Sequence, residues 1–151
     1  MKPARPVYFR GRRGNAMAEF ALAVGVFVPT LLGVFQFGYA FYVYNQLVGA
    51  VREAARYASI RVYDSSTETP SDSYLAAVRN AAVYGNTDGS GQPIVSGLAT
   101  NKIAVAVSMI DGVPDMVTVS VSDYTMNTIV NSFHLTNKPA ASFHFEGRFH
   151  P

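Results

Sequence analysis

At 151 residues without a cysteine, the chain offers no disulfide framework and no thiolate metal site, a composition that fits an exported protein doing without disulfides. Five of its twelve basic residues (Lys2, Arg5, Arg10, Arg12 and Arg13) precede Gly14 with no acid among them, so a formal net charge of +2 conceals a basic head and a slightly acidic remainder. That distribution argues against nucleic-acid binding, because the positive charge is gathered beside an apolar segment instead of spread over a folded surface.

In chain order, Met1 to Gly14 is a short basic leader with Pro3 and Pro6 and no helical or strand periodicity. Arg12-Arg13 matches a twin-arginine pair, which is common in any basic flank. From Phe20 to Tyr44 there follow 25 residues without a charge. At the helical rise such a run extends about 37 Å, enough to cross a bilayer core with some tilt. Basic flanks stay on the cytoplasmic side, so the N-terminus is expected inside and the C-terminal residues outside. Val48-Gly49-Ala50 offers small residues for a signal peptidase, but the apolar run exceeds the roughly 7–15 residues of a removable signal.

Below Tyr44 the pattern changes without a helix breaker. Val43, Leu47, Val51, Ala54, Ala55 and Ala58 recur every three or four positions, with Asn45, Gln46, Arg52, Glu53, Arg56 and Ser59 between them. The spacing predicts one helix over 15–60, membrane-spanning at 20–44 and amphipathic below. Pro29 removes one helical hydrogen bond, so a kink or local loosening is expected there. Gly25, Gly33 and Gly38 would let other helices approach closely. Tyr39, Tyr42 and Tyr44 with Phe37 and Phe41 suit an aromatic belt at the outer interface better than the lining of a cofactor pocket.

Gly14 followed by Asn15-Ala16-Met17-Ala18-Glu19-Phe20 resembles a type IV prepilin processing site, in which a basic leader ends in glycine and glutamate is the fifth mature residue. Glu19-Phe20-Ala21, Pro29 with Leu31-Leu32, Phe37-Gly38 and Arg52-Glu53-Ala54-Ala55-Arg56 make the wider stretch similar to the TadE-like minor pilins or pseudopilins of the tight-adherence (Tad or Flp, type IVc) pilus system. The resemblance implies cleavage between Gly14 and Asn15 by a prepilin peptidase. It further implies assembly through the N-terminal helix with other pilins, on an inner-membrane platform, for surface adhesion.

A physical case for Glu19 stands beside the resemblance. Pushing a carboxylate toward the bilayer centre costs about 2.5–3.5 kcal/mol, so it calls for a partner. Cleavage after Gly14 would create an amine at Asn15, one turn away, and place Glu19 in the first turn, where it complements the helix dipole. A neighbouring subunit's amine would serve equally and set the axial register, with Phe20 beside it. The plain alternative is a carboxylate resting at the headgroup level.

Residues 64–69 read as a loop, and Pro70-Ser71-Asp72 as the cap of a second helix with Leu75, Val78 and Ala82 inward, ended by Gly85. In the loop 85–93, Asn86, Asp88 and Ser90 alternate like calcium ligands but lack an EF-hand's glycine and distal glutamate, so a solvated turn is expected. Strands are predicted at Lys102 to Met109, at Val117 to Ser122 and at Ser142 to His150, with a turn at Asp111 to Pro114 and Phe143, Phe145 and Phe149 on one face of the third. Thr125 to Ala141 is left open. His144, Glu146 and His150 are the wet face of a strand in preference to a metal cluster, and His134 stands alone.

No nucleophile elbow, phosphate loop or metalloprotease motif is present, so neither an enzyme nor a cofactor is expected. The fold expected is α+β and pilin-like: a long N-terminal helix packed on a small antiparallel sheet, with one further short helix. The domains are a leader at 1–14, the helix at 15–60 and an extracytoplasmic α+β domain at 61–151. Three functions are compatible: a minor pilin of a Tad-type fibre, an inner-membrane assembly factor that never enters the fibre, or a secreted domain, which the long apolar run opposes.

Overall fold

A computed structural model of the chain describes residues 13–128 and 131–151. Its elements are α1 (Arg13–Ile60), α2 (Asp72–Tyr84), a 3-10 turn (Thr100–Lys102), β1 (Ile103–Ile110), β2 (Val113–Val121), β3 (Tyr124–Asn127), β4 (Ser132–Leu135) and β5 (Ala140–His144). They form two compact units, the first ending at Phe37 and the second running from Gly38 to Pro151. Both the α+β class and the long apolar first helix agree with expectation. The leader, apart from the backbone at Arg13 and Gly14, lies outside the described residues.

In the second unit α1 buries Val43, Leu47, Ala50, Val51, Ala54, Ala55 and Ala58, one stripe at helical spacing. All of these but Ala50 join α2 and the inner sheet face (Ile103, Val107, Val117, Val119 and Val121) in a single core. Complete burial of a side chain such as Leu47 contributes about 1.5–3 kcal/mol.

Ser71 caps α2 in extended geometry, its Oγ accepting from the Tyr74 amide at 3.2 Å, and Gly85 closes the helix at φ 72°. Val78 and Ala82 are fully buried as expected, with Tyr74, Ala77, Ala81 and Val83 beside them, whereas Leu75 is only half-buried. Tyr74 takes the central place because its Oη donates to the Ala58 carbonyl at 2.6 Å, which satisfies the hydroxyl inside the core.

β1 and β2 form an antiparallel hairpin running from Ile103↔Val121 to Ile110↔Val113. The loop is Asp111-Gly112 alone, both left-handed at φ 53° and 79°, as a two-residue hairpin turn requires. Val113 and Pro114, expected in the turn, are therefore strand residues. β5 pairs with the other edge of β2, giving the order β1-β2-β5.

The third strand differs from its expected span of 142–150. It starts at Ala140 and ends at His144, opposite Met116. Asp115 is the extra residue of a bulge, and Pro114 beyond it has no N–H to extend the ladder. The chain then turns to the end of α1: Glu146 N donates to Ser59 O at 2.8 Å, Tyr63 N to Arg148 O at 2.8 Å and His150 N to Tyr63 O at 2.9 Å. Phe143, Phe145 and Phe149 still pack on the core as their alternation predicts, the last two with their rings 6.2 and 6.3 Å from Tyr63. The open stretch contains the hairpin β3–β4, which turns Tyr124 and Met126 inward.

Candidate functional site

Among the described residues, two regions offer a surface for contacts beyond the chain itself. One is the exposed first part of α1. Met17 and Leu22 are each 73% exposed, and Phe20, Val26, Phe27, Val34, Phe35 and Phe37 are also exposed. The helix is the one element among the described residues that is long and apolar enough to cross a membrane. An added methyl at Gly25 or Gly33 would meet nothing within 4 Å, so these positions are flat landing points for another helix.

At the head of that segment Asn15 Nδ2 donates to Glu19 Oε1 at 3.0 Å, across one helical turn. The two residues therefore share a face, and an amine created at Asn15 would arise beside that carboxylate. Phe20 points outward beside it. α1 runs through Pro29, and Thr30 Oγ1 donates to Val26 O at 2.8 Å, the kind of back-bond that accompanies a loosened helical ladder.

The other region is a cleft of about 700 Å³ in the second unit. α1 forms one wall with Tyr39, Tyr42 and Gln46; residues 92–97 form a second and β3 a third. Tyr39 and Tyr42, expected only in an interfacial belt, thus also line a cavity. Tyr124 is the buried floor, its Oη donating to Ser96 O at 2.8 Å, and burial, with the nearby Tyr39, pushes its phenol pKa up. Gln46 Nε2 donates to Tyr42 Oη at 2.8 Å. The single sequence cue to the cleft was the tyrosine cluster, since its other walls lie some 50 to 80 residues downstream.

Asn86, the first of the calcium-like residues, is committed elsewhere: its Oδ1 accepts from Gly89 N at 3.0 Å and Ser90 N at 3.3 Å, closing the loop on itself. His144, Glu146 and His150 are exposed, and no cluster of three metal-ligating side chains occurs among the described residues. His134 instead pairs with Thr125 at 3.2 Å and approaches Asp123 at 3.4 Å. The Asp123 carboxyl lies below the usual range because Lys102 donates to it.

No curated protein and no solved structure matches the chain. A family model described as TadE-like protein matches residues 14–56, the stretch that begins at Gly14 and ends inside the core-forming stripe of α1. Over that segment, 43 of 151 residues, the chain is similar to the TadE-like proteins of the Tad pilus system.

Proposed function

We propose that the protein is a minor pilin or pseudopilin, structural and not enzymatic, cleaved between Gly14 and Asn15 by a prepilin peptidase and drawn through α1 into a Tad-type pilus that serves adhesion. The observation that carries this reading is the exposed, uncharged surface of α1 over residues 20–37, headed by Asn15 and Glu19 on one face, in a chain whose remaining residues have a core of their own. The basic leader favours a cytoplasmic N-terminus, so the second unit would lie outside the inner membrane. Before assembly the same face would be covered by lipid and afterwards by neighbouring pilins, with Glu19 and Phe20 setting the register and Pro29 allowing the helix to bend.

The reading is tested by the N-terminus and intact mass of the native protein in membrane and sheared-surface fractions. A chain beginning at Asn15 and present in the sheared fraction is expected. Gly14→Leu should then block cleavage, whereas Glu19→Ala should leave it largely intact and reduce incorporation. A chain that keeps its leader and stays in the membrane would overturn it in favour of the second reading, an anchored assembly factor, which the same apolar helix also supports.

A further inference from the structure

We infer that the cleft between α1, residues 92–97 and β3 is a binding site for a neutral sugar. This goes beyond the pilus reading and does not depend on processing at Gly14. Two of the three walls lie outside residues 14–56, so the site belongs to this chain's own second unit.

The chemistry of the lining selects the ligand. None of the fourteen lining residues is Asp, Glu, Lys, Arg or His. An anion or cation entering the cleft would lose hydration and gain no counter-charge. A wholly apolar ligand is disfavoured for the opposite reason, because it would strip water from Gln46 and Gln92 without replacing their hydrogen bonds. A polyhydroxylated ring meets both demands. Its C–H face rests on the negative face of a tyrosine ring, and its hydroxyls both donate to and accept from side-chain amides.

The cleft is also set up in advance. Tyr124 is held by its bond to Ser96 O, so the aromatic floor is fixed before any ligand arrives. Tyr42 Oη accepts from Gln46, which leaves the Tyr42 hydroxyl hydrogen and Gln46 Oε1 as a donor and an acceptor side by side. Gln92, on the wall formed by residues 92–97, is exposed, and its amide has no partner among the described residues. The cavity of about 700 Å³ is within the size of ordinary small-ligand pockets and has room for a disaccharide.

Two sources present this chemistry: a glycolipid headgroup at the membrane surface and a free or surface-attached polysaccharide. The test uses the full-length chain in micelles of a detergent with no sugar headgroup. Maltose, cellobiose and lactose are titrated against it by saturation-transfer NMR, and a second arm dopes the micelles with a diglucosyl diacylglycerol. The expected result is saturable transfer to ring C–H protons with a Kd of about 1 mM or tighter in at least one arm. Tyr42→Ala, at an exposed position, and Gln92→Ala should each weaken binding about tenfold or more, with circular dichroism unchanged. Binding of the free disaccharides assigns the site to a polysaccharide, and binding of the glycolipid alone assigns it to a headgroup. No saturable binding in either arm would overturn the inference. So would equal binding of glucose 6-phosphate, indifference to both substitutions, or occupation of the cleft by a peptide of another pilin.

Discussion

The helix α1 contributes to both units of the molecule, and the two lengths of it obey different rules. From Phe20 to Phe37 it carries no charge and is rich in bulky phenylalanine, leucine and valine, all exposed. From Val43 to Ala58 it is apolar on one stripe, alanine at four of seven buried positions, with Arg52, Glu53 and Arg56 between them. An amphipathic stripe needs one partner surface, and the chain supplies it. An all-round apolar surface needs a solvent of its own kind, lipid or other helices, and the described residues supply none. The same secondary structure thus serves as folding core in one unit and as an unfilled contact surface in the other.

Introducing one charge on each side breaks this comparison most sharply. Ala54→Asp places an unpaired carboxylate at a fully buried position and should cost the second unit about 4 kcal/mol or more, read as loss of the cooperative thermal transition. Val26→Asp should leave that transition in place and instead reduce membrane insertion, by about 2.5–3.5 kcal/mol near the centre of a span. Truncation gives a smaller contrast. Leu47→Ala should destabilise by about 2–5 kcal/mol in denaturant titrations, whereas Phe27→Ala should leave the midpoint unchanged.

Gly147→Ala should cost about 1–3 kcal/mol, because the new methyl would strike the Arg61 carbonyl oxygen where the C-terminal segment crosses the end of α1. Alkaline pH gives the smallest effect. Burial raises the pKa of Tyr63, Tyr74 and Tyr124, so the unfolded chain loses these protons first. Stability should be full below the ordinary tyrosine value of 10.0 and fall as pH rises beyond it, seen as a dropping melting temperature.

Much of this division was legible in the residues. The uncharged run from Phe20 marked the exposed length, and the Leu47–Val51–Ala55 stripe marked the buried one. Ser71 and Gly85 marked the ends of α2, and alternation around Asp111-Gly112 gave the main hairpin. What escaped depended on distant partners. β5 stops at His144 because of Pro114, some 30 residues earlier in the chain, and β3–β4 are each four residues long, too short for a period to show. The cleft escaped because separate segments enclose it, and only Tyr39 and Tyr42 hinted at it.

The central claim, that α1 up to Phe37 is covered by lipid or by other helices while the second unit keeps its own core and faces water, can be tested by thiol labelling, since the chain has no cysteine. Single variants Phe20→Cys, Val26→Cys and Val34→Cys would be compared with Arg52→Cys and Ser142→Cys in spheroplasts, using a membrane-impermeant maleimide that reacts only with a hydrated thiolate. The account predicts rapid labelling at 52 and 142 and none at 20, 26 and 34 until the membrane or fibre is dissolved. Equal labelling of both groups in intact spheroplasts would contradict it.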